Sequence, residues 1–241
     1  MKQIVGRTLG AEPGRLETNF VSDRPAAWYA ELYKQDGLKG GHVIMLGPGN
    51  DIEARSALQA YPGGLQIGGG VNLYNARGWL DAGASHVIVT SWVFRGGQID
   101  WERLAQLVGA IDKARLVLDL SCRRRGKEYF VVTDRWQKFT ELTISRESLE
   151  KLAAWCAEFL VHAVDVEGQC RGIDQELVSN LAQWSPIPAT YAGGASSLAD
   201  LEAVTRLGKG RIDLTIGSAL DIFGGSGLRY KDAMAFNQRL E

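Results

Sequence analysis

Two stretches, LQIGGGV over residues 65–71 and ATYAGGA over residues 189–195, each run an apolar, β-rich segment into paired glycines. A helical stretch follows in both places, and then a second apolar run. In the first half that run is VIVTSW, with Thr90 and Ser91 before Trp92; in the second it is DLTIGSA, with Gly217 and Ser218 before Ala219. Gly69 and Gly70 match Gly193 and Gly194 at an offset of 124, and Ser91 matches Ser218 at 127, so about three residues are inserted between. Self-similarity at so long a period means a chain built from copies of one unit. Glycine lets backbone N–H groups approach an anion, a helix N-terminus adds a favourable dipole, and a Ser or Thr hydroxyl adds a donor. Two such cradles imply a ligand with a phosphate at each end. Gly69, Gly70, Thr90 and Ser91 are expected to form one cradle, and Gly193, Gly194, Gly217 and Ser218 the other. A plainer account, in which the glycines only permit tight strand-to-helix turns, explains one pair well and the matched hydroxyls poorly.

Around these segments, apolar runs of strand length alternate with amphipathic stretches of helical spacing. Strands are predicted at His42–Leu46, Leu65–Gly68, His86–Thr90, Arg115–Leu120, Phe159–Val164, Pro188–Ala192 and Ile212–Gly217. Helices are predicted at Asp51–Ala60, Leu73–Ala82, Trp101–Ile111, Ser145–Glu158, Asp174–Trp184 and Ser197–Leu207. Such alternation gives a parallel sheet covered by helices, and the halved, duplicated pattern points to a closed (β/α)₈ barrel of duplicated half-barrels more than to an open doubly wound sheet. Seven core strands are visible where a closed barrel needs eight. Lys2–Gly6 reads as the second arm of a strand–turn–strand unit, so a missing first strand and an N-terminal truncation are expected, the barrel otherwise forming one domain over residues 1–241.

Composition adds exclusions. Residues are 45% hydrophobic and 23% charged, ordinary globular usage, and the formal net charge of −1 gives no broad electrostatic case for nucleic acid or an anionic membrane as partner. Cys122, Cys156 and Cys170 lack metal-ligand spacing and are expected to be reduced packing residues of a cytoplasmic protein. No apolar run approaches the length of a membrane span, and the first twenty residues hold no signal-peptide core.

The ordered strings KQIVG, TNFV, GHVIMLGPGND, LQIGGGV, VIVTSWVF, LVLDLSCR, HAVDVEG, GIDQELV, YAGGASSLADL and DLTIGSALDIFGG carry a resemblance. From Lys2 to about Phe236 the chain resembles the eukaryotic-type branch of phosphoribosylformimino-5-aminoimidazole carboxamide ribotide isomerase, an enzyme family of histidine biosynthesis. The resemblance implies a half-barrel duplication with no cofactor and no metal. It implies an Amadori rearrangement of a bisphosphorylated ribotide, ProFAR to PRFAR, that opens the ribose ring with an acid and removes the neighbouring carbon's proton with a base. It makes Asp119 the catalytic acid and Trp136 the aromatic that stacks on the aminoimidazole, the alternative for Trp136 being a packing anchor. The family's base, an Asp on a CIDxHxG-like first strand, has no counterpart here, so the 241-residue form is expected to turn over slowly or not at all. Met1 stands where the family has Val, consistent with a start assigned at an internal GTG codon.

Other residues divide between chemistry and structure. Asp165 is expected either to bind substrate or to order the loop at Gly168, and His162 to be a core histidine with a satisfied hydrogen bond. Arg123 and Arg124 could reach a phosphate or carboxamide, or form a solvated face. Two alternatives stand beside the isomerase: a cyclase-like relative of imidazole-glycerol-phosphate synthase, and a phosphosugar-binding barrel that is inactive. A monomer is expected, with an oligomer as the alternative if a neighbouring chain compensates for the missing strand.

Overall fold

A computed structural model describes residues 2–4 and 18–239. In chain order the strands are β1 (Lys2–Ile4), β2 (Thr18–Val21), β3 (Gly41–Ile44), β4 (Leu65–Gly68), β5 (His86–Val89), β6 (Phe94–Arg95), β7 (Gln98–Ile99), β8 (Leu116–Asp119), β9 (Cys122–Arg125), β10 (Glu128–Thr133), β11 (Lys138–Thr143), β12 (Glu158–His162), β13 (Ala189–Ala192) and β14 (Ile212–Thr215). The helices are α1 (Ala26–Gln35), α2 (Asp51–Ala60), α3 (Ala76–Asp81), α4 (Trp101–Ile111), α5 (Arg146–Ala153), α6 (Gln175–Trp184), α7 (Leu198–Leu207) and α8 (Tyr230–Asn237).

All seven predicted core strands form one parallel sheet in the order β14-β13-β12-β8-β5-β4-β3, with β8 at its centre. Among the described residues nothing pairs with the outer edges of β3 and β14, the place where an eighth strand is expected. Helices meet there instead: Tyr33 of α1 stacks on Tyr230 of α8 at 6.0 Å, and the Tyr230 hydroxyl donates to Asp36 at 2.7 Å. Tyr29, Leu220, Phe223, Leu228 and Tyr230 make a separate apolar cluster on that side.

Alternation along the strands sorts residues between the helix-facing core and the interior. Leu116 and Leu118, Phe159 and Val161, and Val87 and Val89 belong to the main core beneath the helices. Ile88, Val117, Leu160 and Ala192 form a small cluster of their own, a packed layer inside the sheet's curl. Two residues further along, the same faces carry Thr90, Asp119 and His162 at the carboxyl rim. Towards the opposite end, Gln66 donates to Glu158 at 2.8 Å and Thr190 donates to Glu158 at 2.6 Å, a polar floor spanning β4, β12 and β13.

Several boundaries differ from the sequence-based expectations, for local reasons. The fifth helix ends at Ala153 rather than Glu158, because Glu158 opens β12 and turns its carboxylate into that polar floor. Helix α3 starts at Ala76 rather than Leu73, because Asn72 and Asn75 spend their side chains on a turn: Asn75 accepts from the Asn72 N–H and Asn72 from the Tyr74 N–H, each at 2.9 Å. The stretch from Ser121 to Thr140 is an antiparallel meander of β9, β10 and β11, where a long loop was expected. Lys2–Ile4 does form one arm of an antiparallel pair, with Thr18–Val21; Val5 and Gly6 lie outside the described residues.

Candidate active site

Every core strand runs in the same direction, so the loops after β4, β5, β8, β12, β13 and β14 share one rim. Asp119 ends the central strand, β4 and β5 flank it on one side and β13 and β14 on the other. A cavity of about 1960 Å³ opens at this rim and continues along the β3–β14 edge. Its lining includes Gly69, Gly70, Thr90, Ser91, Asp119, Trp136, Gly217 and Ser218, all expected from sequence, together with His42, His162 and Glu167.

Asp119 sits in a set of donors. Its Oδ1 accepts from the Ser121 N–H at 2.9 Å and the Ser121 hydroxyl at 2.7 Å, and its Oδ2 from the Thr90 hydroxyl at 3.2 Å. The His162 imidazole Nδ1 lies 3.3 Å from the same Oδ1 and 3.3 Å from the Ser121 hydroxyl. The side chains of His162 and Asp119 are only 18% and 13% exposed, so solvent screens the pair weakly. Burial pushes the Asp119 carboxyl up, but the His162 charge and the hydrogen bonds from His162, Ser121 and Thr90 outweigh it and hold the pKa below its ordinary value. Burial depresses His162, yet Asp119, with a smaller contribution from Glu167, raises it overall. Glu167 is the opposite case: burial first, then the Asp119 charge, raise its carboxyl despite His162. His42, in the same interior, is pushed by burial to about 4 and is neutral at pH 7.

The two carboxyl groups are thus shifted in opposite directions. Asp119, expected as an acid, is held ionised; Glu167, a carboxyl group that the sequence reading passed over, is the one held towards its neutral form. His162 has a hydrogen-bond partner, as expected, and that partner is Asp119. The HAVDVEG string contained both signals, but strand alternation sorts them only once the strand is known to end at His162.

The glycine pairs differ in their surroundings. Gly69, Gly70, Gly193 and Gly194 all have positive φ (91°, 71°, 125° and 75°), so the repeat is present in the backbone itself. A Cβ on Gly69 would overlap the Met45 carbonyl, and one on Gly194 the Gly172 carbonyl, whereas Gly70 faces open space. Gly193 and Gly194 are not on the cavity lining; a Cβ on Gly193 would stand 3.2 Å from the Glu167 carboxylate, so this glycine makes room for that side chain. The expected helix dipole at the second pair is also spent, because Asp200 accepts from the Ser196 and Ser197 N–H groups at 2.8 and 3.0 Å. Thr90 is directed at Asp119. The groups left facing the cavity at its two ends are Gly70 with Ser91, and Gly217 with Ser218.

Trp136 reaches the cavity from the β10–β11 turn, where Asp134, Arg135 and Trp136 all have left-handed φ (51°, 58° and 66°). The Asp134 N–H donates to the Ser91 hydroxyl at 3.2 Å, and Trp136 lies 5.9 Å from the His162 ring at 44°. Asp165 is turned away: it pairs with Arg123 at 2.9 Å, accepts from the Arg124 N–H at 2.8 Å and does not line the cavity. Arg124 in turn pairs with Glu176 at 2.7 Å. Among the described residues, no three His, Cys, Asp or Glu side chains gather as a metal site would require, and no helix is long and apolar enough to cross a membrane.

Residues 5–225 match the family model described as histidine biosynthesis protein. The chain belongs to that family. Among its relatives is the chloroplastic 1-(5-phosphoribosyl)-5-((5-phosphoribosylamino)methylideneamino) imidazole-4-carboxamide isomerase of Medicago truncatula, 55% identical over 99% of this chain and 78% of that protein. The isomerases of the same name from Neurospora crassa and Saccharomyces cerevisiae are 50% and 45% identical, each over 99% of this chain and 94% of their own length. The curled parallel sheet is therefore the (β/α)₈ fold of the histidine biosynthesis family.

Proposed function

We propose that this protein is the isomerase converting the bisphosphorylated ribotide ProFAR to PRFAR, an aminoaldose-to-aminoketose rearrangement. The observation carrying this reading is the order of the sheet: Asp119 ends its central strand, with matched glycine and hydroxyl loops on the strand pairs at either side. A ligand with a phosphate at each end can rest one on Gly70 and Ser91 and the other on Gly217 and Ser218, its ribose lying over Asp119. Glu167, whose pKa burial raises, gives a proton to the ribose ring oxygen as the bond to the anomeric carbon breaks and an iminium forms. Asp119, held ionised, takes the proton from the neighbouring carbon. The resulting enolamine then tautomerises to the ketone. Trp136 covers the aminoimidazole. Two carboxyl groups whose pKa values are shifted in opposite directions are the pattern this chemistry needs.

The isomerase names of the relatives favour this reading over the cyclase alternative, and the two-carboxyl cavity favours it over a binding-only barrel. The reading extends to a cytoplasmic monomer; the free thiols of Cys122, Cys156 and Cys170 suit a reducing compartment, and the net charge of −1 gives no broad electrostatic case for a nucleic-acid or membrane partner. The test is incubation with ¹³C-labelled ProFAR: appearance of a ketone carbon resonance supports isomerisation, and unchanged substrate at high enzyme concentration refutes it.

A further inference from the structure

His162 is one of three histidines in the chain, and it alone touches two candidate site residues at once. We infer that His162 is a positioning residue for the isomerisation, its imidazole bridging the Asp119 carboxylate and the Trp136 ring. The inference rests on the proposed reading in taking Asp119 as the reacting carboxylate. Asp119 on β8 stands opposite Leu160 on β12, and strand alternation puts His162, two residues further along, on the same interior face as Leu160, which clusters with Val117. The Ser121 hydroxyl spends its hydrogen on Asp119, so the Nδ1–H of His162 is shared between the Asp119 and Ser121 oxygens. Trp136 lies beside the ring, centroids 5.9 Å apart at an interplanar angle of 44°, a distance where a cationic imidazole is attracted by the indole quadrupole.

The groups around this imidazole define when it is charged. Asp119 faces it from the end of β8, Glu167 from the loop after β12, and His42 from β3. The two carboxyl groups favour the imidazolium and the neutral His42 does little against it. With His162 charged, the Asp119 carboxylate is fixed in one orientation and Trp136 is seated above it. With His162 neutral, both holds weaken together. One residue thereby couples the aromatic that covers the substrate to the carboxylate that reacts with it.

Three histidines make the test tractable by ¹⁵N imidazole NMR of the full chain, which needs no turnover. The expected spectrum has one imidazole that stays protonated above the ordinary histidine range and loses that behaviour in Asp119→Asn; an His162 that titrates identically in both proteins overturns the inference. Failure here with ProFAR still converted would leave the isomerase reading intact, and the reverse outcome would leave the bridge intact. In kinetics, His162→Gln is expected to lower kcat on the order of 10²-fold through misplacement of Asp119, with KM within about threefold, and to shift the pH profile. A His162→Gln enzyme with wild-type kcat and pH profile contradicts the proposal.

Discussion

At Asp119 the surroundings, more than the residue type, decide what the side chain can do. Four donors from three neighbouring residues keep it ionised, while burial keeps Glu167 towards neutrality. Asp119→Asn and Glu167→Gln should each reduce kcat roughly 10²–10⁴-fold with little change in KM, measured in the ketone-forming assay. The glycines offer a second comparison. Gly69→Ala sets a Cβ against the Met45 carbonyl at positive φ and should cost more stability than Gly70→Ala, which faces open space and should cost only about 1–2 kcal/mol. In ligand binding the order should invert, because a Cβ on Gly70 would stand in open space at the cavity whereas one on Gly69 would press on the Met45 carbonyl: Gly70→Ala is expected to raise KM. Chemical denaturation and steady-state kinetics on the two variants separate a packing glycine from a cradle glycine.

Elements carry the next level of the account. The seven core strands and most helices were legible because their apolar periods are short and their ends are marked. Asp100, Ser145 and Asp174 each cap the helix that follows by accepting a backbone N–H. The β9–β11 meander was not read, because its strands are amphipathic in an unusual way: Arg123, Arg124 and Arg125 face outward, and Arg125 covers Phe139 at 4.0 Å. The run EYFVVT between the turns at Gly126 and Asp134 was the available signal. Helix α8 was also missed, since its apolar residues pack on α1, an element that the periodicity had not marked. Of the cavity lining, Asp119, Gly70, Ser91, Gly217 and Ser218 were legible. Glu167 was not, because its place in the lining depends on the room left beside Gly193, a contact between distant segments. Two predictions belong to this scale. Trp136→Ala should raise KM up to about tenfold by removing the stacking surface, the size expected of one aromatic contact. Asp200→Ala, which uncaps α7, should lose about 1–2 kcal/mol of stability in denaturant unfolding and leave kcat unchanged.

For the whole molecule, the same ionisable groups couple stability to pH. His162 is raised above its ordinary 6.5, so its contribution is full below that value and is lost as pH rises through the folded value. Asp119 is lowered below 3.8, so its contribution is present above that value and is lost as pH falls through the folded one. Glu167 is raised above 4.5 and works against the folded state as pH climbs through and beyond that value. Thermal unfolding should therefore show an alkaline decline in stability that becomes shallower in His162→Gln. A ligand that spans both loops should raise the unfolding free energy by about 2.7 kcal/mol at a hundred times its Kd, and a monophosphate of the same concentration by less. The most direct test is a crystal structure of Asp119→Asn with ProFAR bound. The account predicts one phosphate at Gly70 and Ser91, the other at Gly217 and Ser218, and the ribose within hydrogen-bonding reach of residue 119 and Glu167. Both phosphates on one side of β8, or a ribose away from that residue, would contradict it.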